Sequence, residues 1–293
     1  METIGNLVEY NPYNMSLSKQ DKVAKKRTIE IHNNMVDGKL FETDRLVLRE
    51  LRKEDKYDIH DALRKEGVVE FLKFKKYQKV KNAIKYLKPM LKRYADGWGD
   101  YPTDYGIVDK ETGKVVGVIG ISLDSGTGYG SVEFDYWLNS SAWKKGYMTE
   151  TLIGASDFIE KNGLARRIGL SHGTHNPESG RAARRAGFEF WGKNKGSHSN
   201  PRWGVEDEYF LVKILNNANC YVEMEPKSEI ELIKDERMLL NNTAAQMAYD
   251  IEIGFDDGLG SYEARSRLAR QALAACDVRA EQIEKGIGEP VYI

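Results

Sequence analysis

Residues 131–151, SVEFDYWLNSSAWKKGYMTET, change from a strand pattern to a helix pattern across one short turn. Apolar side chains alternate with other types along 132–138, which predicts a half-buried strand. Glu133 and Asp135 fall on its second face, so this face presents two carboxylates. The apolar spacing then lengthens to that of a helix, which we predict to begin within 145–147.

The turn before that helix suits a phosphate group. The first amides of a helix have no intrahelical acceptor, and the helix dipole adds partial positive charge there. Gly146 stands in the turn and lets the backbone approach a ligand closely. The pattern predicts an amide cradle, although a strand–turn–helix corner of any α/β protein fits it equally well.

Bulk composition narrows the class of protein. The chain has 293 residues, 41% of them hydrophobic, enough for one large domain or two smaller ones. Forty-four Lys and Arg balance 45 Asp and Glu, so net charge gives no reason to expect nucleic acid or an anionic membrane as partner. No stretch approaches membrane-spanning length, which favours a cytoplasmic location. Cys220 and Cys276 lack metal-ligand spacing, so neither a disulfide framework nor a zinc module is expected.

Three regions follow one another along the chain. Residues 1–40 form an arm, with a capping box at Ser18-x-x-Asp21 ahead of a polar helix. Residues 41–216 form the main domain. Residues 217–293 form a tail that begins acidic and ends in a helical hairpin, whose second helix starts at Ser261. In the main domain we predict strands at 46–51, 105–108, 115–123, 132–138, 167–171, 189–192 and 208–215, a glycine-rich turn at 126–130, and helices at 54–64, 71–95, 147–161 and 177–186.

The predicted helix within 71–95 is strongly basic, because this segment holds nine Lys or Arg and no acid. It is either a solvated face over a packed apolar stripe or a surface that attracts an acidic substrate or cofactor phosphates. Residues 223–257 hold ten acids and three bases, so the two segments could pair within or between chains. A homodimer is therefore left open.

Several motifs in the main domain occur in one order. They are a strand hairpin, the EFDYWL strand, the WKKGYMTE turn and helix, a further strand, Asn176-x-x-Ser179 and then Gly187-Phe188. This set resembles the GNAT superfamily of acyl-CoA N-acyltransferases, most closely its RimJ/RimL-like branch, over residues 41–215.

The resemblance implies a mixed α/β (α+β) fold, with a mostly antiparallel sheet whose central strands splay apart. The cofactor is then acetyl-CoA, with its pantetheine arm in the gap and its pyrophosphate on the signature turn. Trp143 occupies the first position of the Q/R-x-x-G-x-G/A signature and Met148 the last, which the RimJ/RimL-like pattern tolerates. Leu138 borders the pantetheine, and Asn176 either contacts it or ends a strand. The implied pyrophosphate contacts are the amides of Lys144, Lys145, Gly146, Tyr147, Met148 and Thr149.

Acyl transfer to an amine needs a neutral amine, a donor for the carbonyl oxygen and a proton for the departing thiolate. An α-amine, with a pKa of about 7.7–8.0, is about a tenth neutral at pH 7, whereas lysine, at about 10.4, is far less so. An α-amine therefore asks less of the base, and the resemblance to the RimJ/RimL-like branch implies an N-acetyltransferase acting on the α-amine of a peptide or protein. A small amine metabolite or antibiotic is the alternative acceptor, and a non-catalytic acyl-CoA- or partner-binding protein is the alternative class.

Three residues are the catalytic candidates. Glu133 is the first choice as base, and Asp135 is the second, at a position where the family often has Gly. If both are buried, like-charge repulsion raises one pKa. Many GNAT members protonate the thiolate with a Tyr, but that position here is Ala183. Ser179 could instead donate a hydrogen bond to the sulfur, or it could cap a helix.

His172 and His175 follow a predicted strand and could reach the same cleft. No nearby carboxylate or cysteine completes a ligand set with them, so no metal is expected. A surface or hydrogen-bonding role is favoured, with His175 as a reserve base. Three tryptophans are predicted to be packing residues: Trp98, Trp191 and Trp203.

Overall fold

The computed structural model describes residues 26, 28–73, 75–96, 103–123, 131–165, 167–202, 204–215 and 245–256. The strands are β1 (Lys39–Glu42), β2 (Leu46–Arg49), β3 (Thr103–Asp109), β4 (Val115–Leu123), β5 (Ser131–Leu138), β6 (Arg167–Gly173), β7 (Glu189–Asn200) and β8 (Gly204–Ile214). The helices are α1 (28–33), α2 (Lys56–Leu63), α3 (Glu66–Val69), α4 (Val80–Ala95), α5 (Tyr147–Lys161), α6 (Pro177–Arg185) and α7 (245–252). Across these ranges no helix has the length and apolarity needed to cross a bilayer.

The strands form one mixed sheet in the order β1-β2-β3-β4-β5-β6-β8-β7. Only the β5–β6 pair among them is parallel. Its pairing ends at Phe134 and Leu170, although β5 continues to Leu138 and β6 to Gly173. The sheet therefore opens between its two central strands, which confirms the predicted fold class and the splay.

Both faces of β5 carry buried side chains, whereas the sequence predicted one apolar face. Phe134 packs in a core with Leu152 of α5. On the opposite face, Trp137 is buried in a second core with Leu87 of α4, and its indole donates a hydrogen bond to the Tyr86 hydroxyl at 3.1 Å. This face of the strand is thus buried at Trp137, while Asp135 on the same face is exposed.

Some local predictions were wrong. Trp191, expected to pack, is 58% exposed. β7 runs well past the predicted 189–192, because the polar sequence KNKGSHSN still pairs with β8 through backbone hydrogen bonds that need no apolar alternation. Five predicted features lie outside the described residues: the Ser18–Asp21 capping box, the 126–130 turn, Trp98, Trp203 and the helix from Ser261.

Helix α7 packs on the main sheet, although it comes after residue 216, where we predicted the main domain to end. Its Tyr249 ring stacks on Phe190 with centroids 5.0 Å apart. Asp250 is 1% exposed and accepts two hydrogen bonds from the Arg184 guanidinium, at 2.7 and 3.0 Å. This ion pair ties the tail segment to α6.

Arg184→Ala is expected to lower the free energy of unfolding by about 3 kcal/mol, because it leaves a buried carboxylate without its cation. Urea denaturation followed by circular dichroism measures the loss. Arg185→Ala is the matched control, since the neighbouring Arg185 side chain is exposed. Equal, small effects of the two substitutions would show that the tail segment is not held by this pair.

Candidate active site

The turn between β5 and α5 has the backbone geometry of an anion cradle. Lys144 and Gly146 both adopt left-handed conformations, with φ of 60° and 77°. A non-glycine residue at positive φ is uncommon, and such conformations curl successive amides toward one point. A Cβ built on Gly146 would meet only the Arg45 Nη2 atom within 4 Å, at 3.6 Å. The space above the turn is therefore open.

An ion pair from the other end of the domain fixes this turn. Glu150, in the first turn of α5, accepts hydrogen bonds from Thr43 Oγ1 at 2.6 Å and Arg45 Nε at 2.7 Å. These bonds and the charge of Arg45 outweigh desolvation and lower the pKa of Glu150. Arg45 also donates to the Lys145 carbonyl at 2.9 Å. We missed Arg45 in the sequence, because no spacing rule links it to Glu150.

Leu138 lies where β5 has separated from β6, and its side chain is half-buried. The Trp143 indole donates to the Leu138 carbonyl at 3.0 Å. Trp143, at the first signature position, thus holds the turn against the end of the strand. Leu138 therefore lies at one end of the gap between β5 and β6, and the turn that carries the amides comes next along the chain.

Helix α6 borders the gap from the β6 side. The Asn176 side chain caps it by accepting a hydrogen bond from the Ser179 amide at 3.3 Å. The Ser179 hydroxyl lies 2.9 Å from that of Tyr136, and burial raises the pKa of Tyr136 to about 12. Ala183, at the family's Tyr position, is fully buried. Asn176 is therefore the cap, and Ser179 forms a hydroxyl pair with Tyr136 that sequence reasoning missed.

The two carboxylates of β5 differ in position. Glu133 lies opposite Gly169, where β5 and β6 are still paired, whereas Asp135 is the first residue of its face beyond the last pair. Asp135 remains accessible to solvent, but desolvation by the surrounding protein, and then the charge of Asp104, raise its pKa to about 6. The like-charge neighbour is thus Asp104 of β3, a residue that no sequence signal identified.

The two histidines occupy different environments. His172 is buried and its Nε2 lies 2.7 Å from the Tyr249 hydroxyl; burial lowers its pKa. His175 is half exposed and its Nδ1 lies 2.6 Å from Glu206, a carboxylate supplied by β8. No cluster of three or more His, Cys, Asp or Glu that could hold a metal occurs in the part of the chain described.

Comparisons with known proteins agree with this geometry. Residues 45–189 match the family model for the acetyltransferase (GNAT) domain. No curated protein sequence matches the chain significantly.

Solved structures share the fold at low sequence identity. RimL, a ribosomal L7/L12 α-N-protein acetyltransferase solved with coenzyme A, superposes with a TM-score of 0.52 at 18% identity, covering 61% of this chain and 99% of its own. MccE, the microcin C7 self-immunity acetyltransferase solved with acetyl-CoA and AMP, gives 0.52 at 13% identity, covering 59% and 94%. The ribosomal-protein-S5-alanine acetyltransferase of Vibrio fischeri gives 0.51 at 17% identity, covering 64% and 98%.

At these identities the solved structures establish the fold alone. The family match adds the chemistry, since it covers the splayed strands, the amide turn and the Gly187-Phe188 pair. Residues 45–189 therefore form a GNAT acetyltransferase domain, and the chain is an acyl-CoA-dependent N-acetyltransferase.

Proposed function

We propose that this enzyme moves an acetyl group from acetyl-CoA to the α-amine of a peptide or protein. The observation that carries the proposal is the gap between β5 and β6, which has an amide turn at one end and Asp135 where it begins. The names of RimL and the Vibrio fischeri protein describe enzymes that act on ribosomal proteins. A protein acceptor is the corresponding inference for this chain.

The turn residues fit the pyrophosphate of acetyl-CoA, which supplies the acetyl thioester. In this proposal the amides of residues 144–149 hold the pyrophosphate, and Leu138 borders the pantetheine. The support is the open space above Gly146, together with left-handed backbone at two turn positions. Such a cradle binds anions through backbone amides and the positive end of the α5 dipole.

On the amine side, Asp135 is the base that the geometry favours, and Glu133, our first choice from the sequence, becomes the reserve. The amine nitrogen attacks the thioester carbonyl, the C–S bond breaks, and the nitrogen loses its proton to the carboxylate. With a pKa of about 6, Asp135 lies about two pH units below an α-ammonium and about four below a lysine ammonium. The smaller mismatch supports an α-amine acceptor.

On the thiol side, the paired hydroxyls of Ser179 and Tyr136 are the candidate donors to the departing thiolate. Tyr136 belongs to β5 beyond the last β5–β6 pair, on the face opposite Asp135. The two proton transfers thus use opposite faces of one strand. This hydroxyl pair would replace the Tyr that many GNAT members carry where this chain has Ala183.

A small amine is the second candidate acceptor, and two hydrogen bonds favour it. The connection between β7 and β8 joins the far side of the gap to α3: Asn200 donates to the Glu70 carbonyl at 3.0 Å and Arg202 to the Val69 carbonyl at 2.8 Å. A bridge of this kind limits the size of what enters near it. MccE, whose name describes action in microcin immunity, has a similar fold.

The acceptor class is tested with acetyl-CoA and a thiol reagent that reports released coenzyme A. One peptide carries a free N-terminus and no lysine; its partner has a blocked N-terminus and one lysine; small primary amines complete the panel. We expect kcat/KM for the free N-terminus to exceed the others by at least about 10-fold, following the difference in neutral amine. Turnover of small amines alone would support the second candidate, and turnover of none would contradict the proposal.

A further inference from the structure

Three adjacent strands place two carboxylates in one row. Asp104 of β3 pairs with Gly120 of β4, and Gly120 pairs with Asp135 of β5. Residues directly opposite each other in antiparallel strands point to the same face of the sheet. Asp104 and Asp135 therefore face each other across a residue that has no side chain.

Gly120 determines where the Asp135 carboxylate can lie. A Cβ built on Gly120 would be 2.8 Å from Asp135 Cγ and 3.0 Å from its Oδ1. Separations this short are repulsive, so the carboxylate rests directly over β4 only because position 120 is glycine. Even alanine at this position would have to displace it.

The charges around the row are unequal. Arg93 of α4 makes an ion pair with Asp104 at 2.5 Å, and the Tyr94 hydroxyl donates to the Asp104 backbone carbonyl. Desolvation raises the pKa of Asp104, and Arg93 opposes that rise. Three further ionisable side chains complete the surroundings of Asp135: Lys73 before α4, Tyr86 on α4 and Glu133 on its own strand.

We infer that Asp104 is a positioning residue that acts through Asp135. Its negative charge, partly balanced by Arg93, makes Asp135 a stronger base, and Gly120 gives the Asp135 carboxylate its place at the start of the gap. This inference rests on the proposed function, because the role of Asp135 as base is itself proposed. The acceptor side of the site then consists of Asp104, Gly120 and Asp135 on three adjacent strands, and not of one carboxylate alone.

The inference predicts opposite effects for two substitutions. Asp104→Asn removes a like charge and should lower the pKa of Asp135, whereas Arg93→Gln removes a cation and should raise it. Carbon-13 NMR of aspartate carboxyl groups measures the titration directly in the full chain, with Asp135→Asn assigning the signal. We expect shifts of about 0.5–1 pH unit in opposite directions, with the acidic limb of the kcat profile moving in parallel.

If the pKa of Asp135 shifts in the same direction in both variants, or does not shift, the inference is overturned. A fall in melting temperature in both variants would not rescue it, because a purely structural role of the ion pair predicts the same fall. The result is distinguishable from failure of the proposed function. Wild-type protein without turnover on any amine, but with opposite NMR shifts, contradicts the function alone. Wild-type turnover without opposite shifts contradicts the inference alone.

Gly120→Ala tests whether the missing side chain at position 120 gives the Asp135 carboxylate its place. We expect kcat to fall at least about 10-fold, while Gly192→Ala, a glycine-to-alanine change in β7 with nothing within 4 Å of the new Cβ, leaves kcat unchanged. Because Gly120→Ala could also unfold the protein, its melting temperature is compared with that of Gly120→Ala/Asp135→Ala. The double variant should recover most of the loss; purely additive losses would contradict the assigned contact.

Discussion

Replacing Gly146 by glutamate is expected to abolish acetyl-CoA binding, with affinity reduced at least about 100-fold, or ~2.7 kcal/mol. Gly146 has a φ of 77°, a conformation that side chains with a Cβ rarely adopt. The new carboxylate would also stand where the cradle is proposed to receive the pyrophosphate. Isothermal titration calorimetry with acetyl-CoA measures the loss.

Gly113→Glu is the matched control for this variant. Gly113 also has positive φ, 67°, and nothing lies within 4 Å of a Cβ built on it, in the turn between β3 and β4. It therefore imposes the same backbone strain and the same charge away from the cradle. Normal acetyl-CoA affinity in Gly146→Glu, or equal loss in both variants, would contradict the assignment of the turn.

Asp135→Asn is expected to lower kcat at least about 100-fold while leaving acetyl-CoA affinity unchanged. The base must be ionised to accept a proton, and the pKa of Asp135 is raised to about 6. In the wild type, kcat should therefore rise with pH through about 6, and this limb should be lost in the variant. The pH dependence should be measured in kcat, which reports the pKa values of the enzyme–substrate complex. The quantity kcat/KM would also include the titration of the free α-amine.

The same substitution has a predicted effect on stability. A folded-state pKa above the unfolded value means that the folded protein binds the proton more tightly, so this group's contribution to stability falls as pH rises from about 4 through about 6. Asp135→Asn should therefore raise the melting temperature at pH 8 relative to wild type. An inactive variant that melts higher is inactive for a chemical reason, not through unfolding.

Glu133→Gln, measured in parallel, decides between the two carboxylates. Because Glu133 lies where β5 and β6 are still paired, we expect a smaller loss of kcat than in Asp135→Asn. A large loss in Glu133→Gln with little change in Asp135→Asn would return the role of base to Glu133. The pH profile of the surviving variant then identifies which group titrates.

Local patterns in the sequence predicted the elements that frame the site. The alternation through 132–138 and the helical spacing that follows located β5 and α5 correctly, because each is determined by neighbouring residues. β7 was predicted too short because its polar half carries no periodic signal. The longer-range partners could not be predicted at all.

Two pairings illustrate that limit. Arg45 reaches Glu150 because the turn between β1 and β2 lies against the start of α5, and Asp104 reaches Asp135 because two strand registers place Gly120 between them. A one-residue slip in either register would turn these side chains to opposite faces. Registers depend on the whole core, so the proposed base and its neighbour could be recognised only in the folded chain.

The most direct test of the account is to locate the acetyl group on a peptide that contains both a free α-amine and a lysine. The enzyme is incubated with acetyl-CoA and this peptide near pH 7, and tandem mass spectrometry maps the product. The account predicts one acetyl group, on the N-terminal nitrogen, with the rate of transfer falling at least about 100-fold when Asp135→Asn replaces the wild type. Acetylation mainly on lysine, or no acetylated peptide at all, would contradict it.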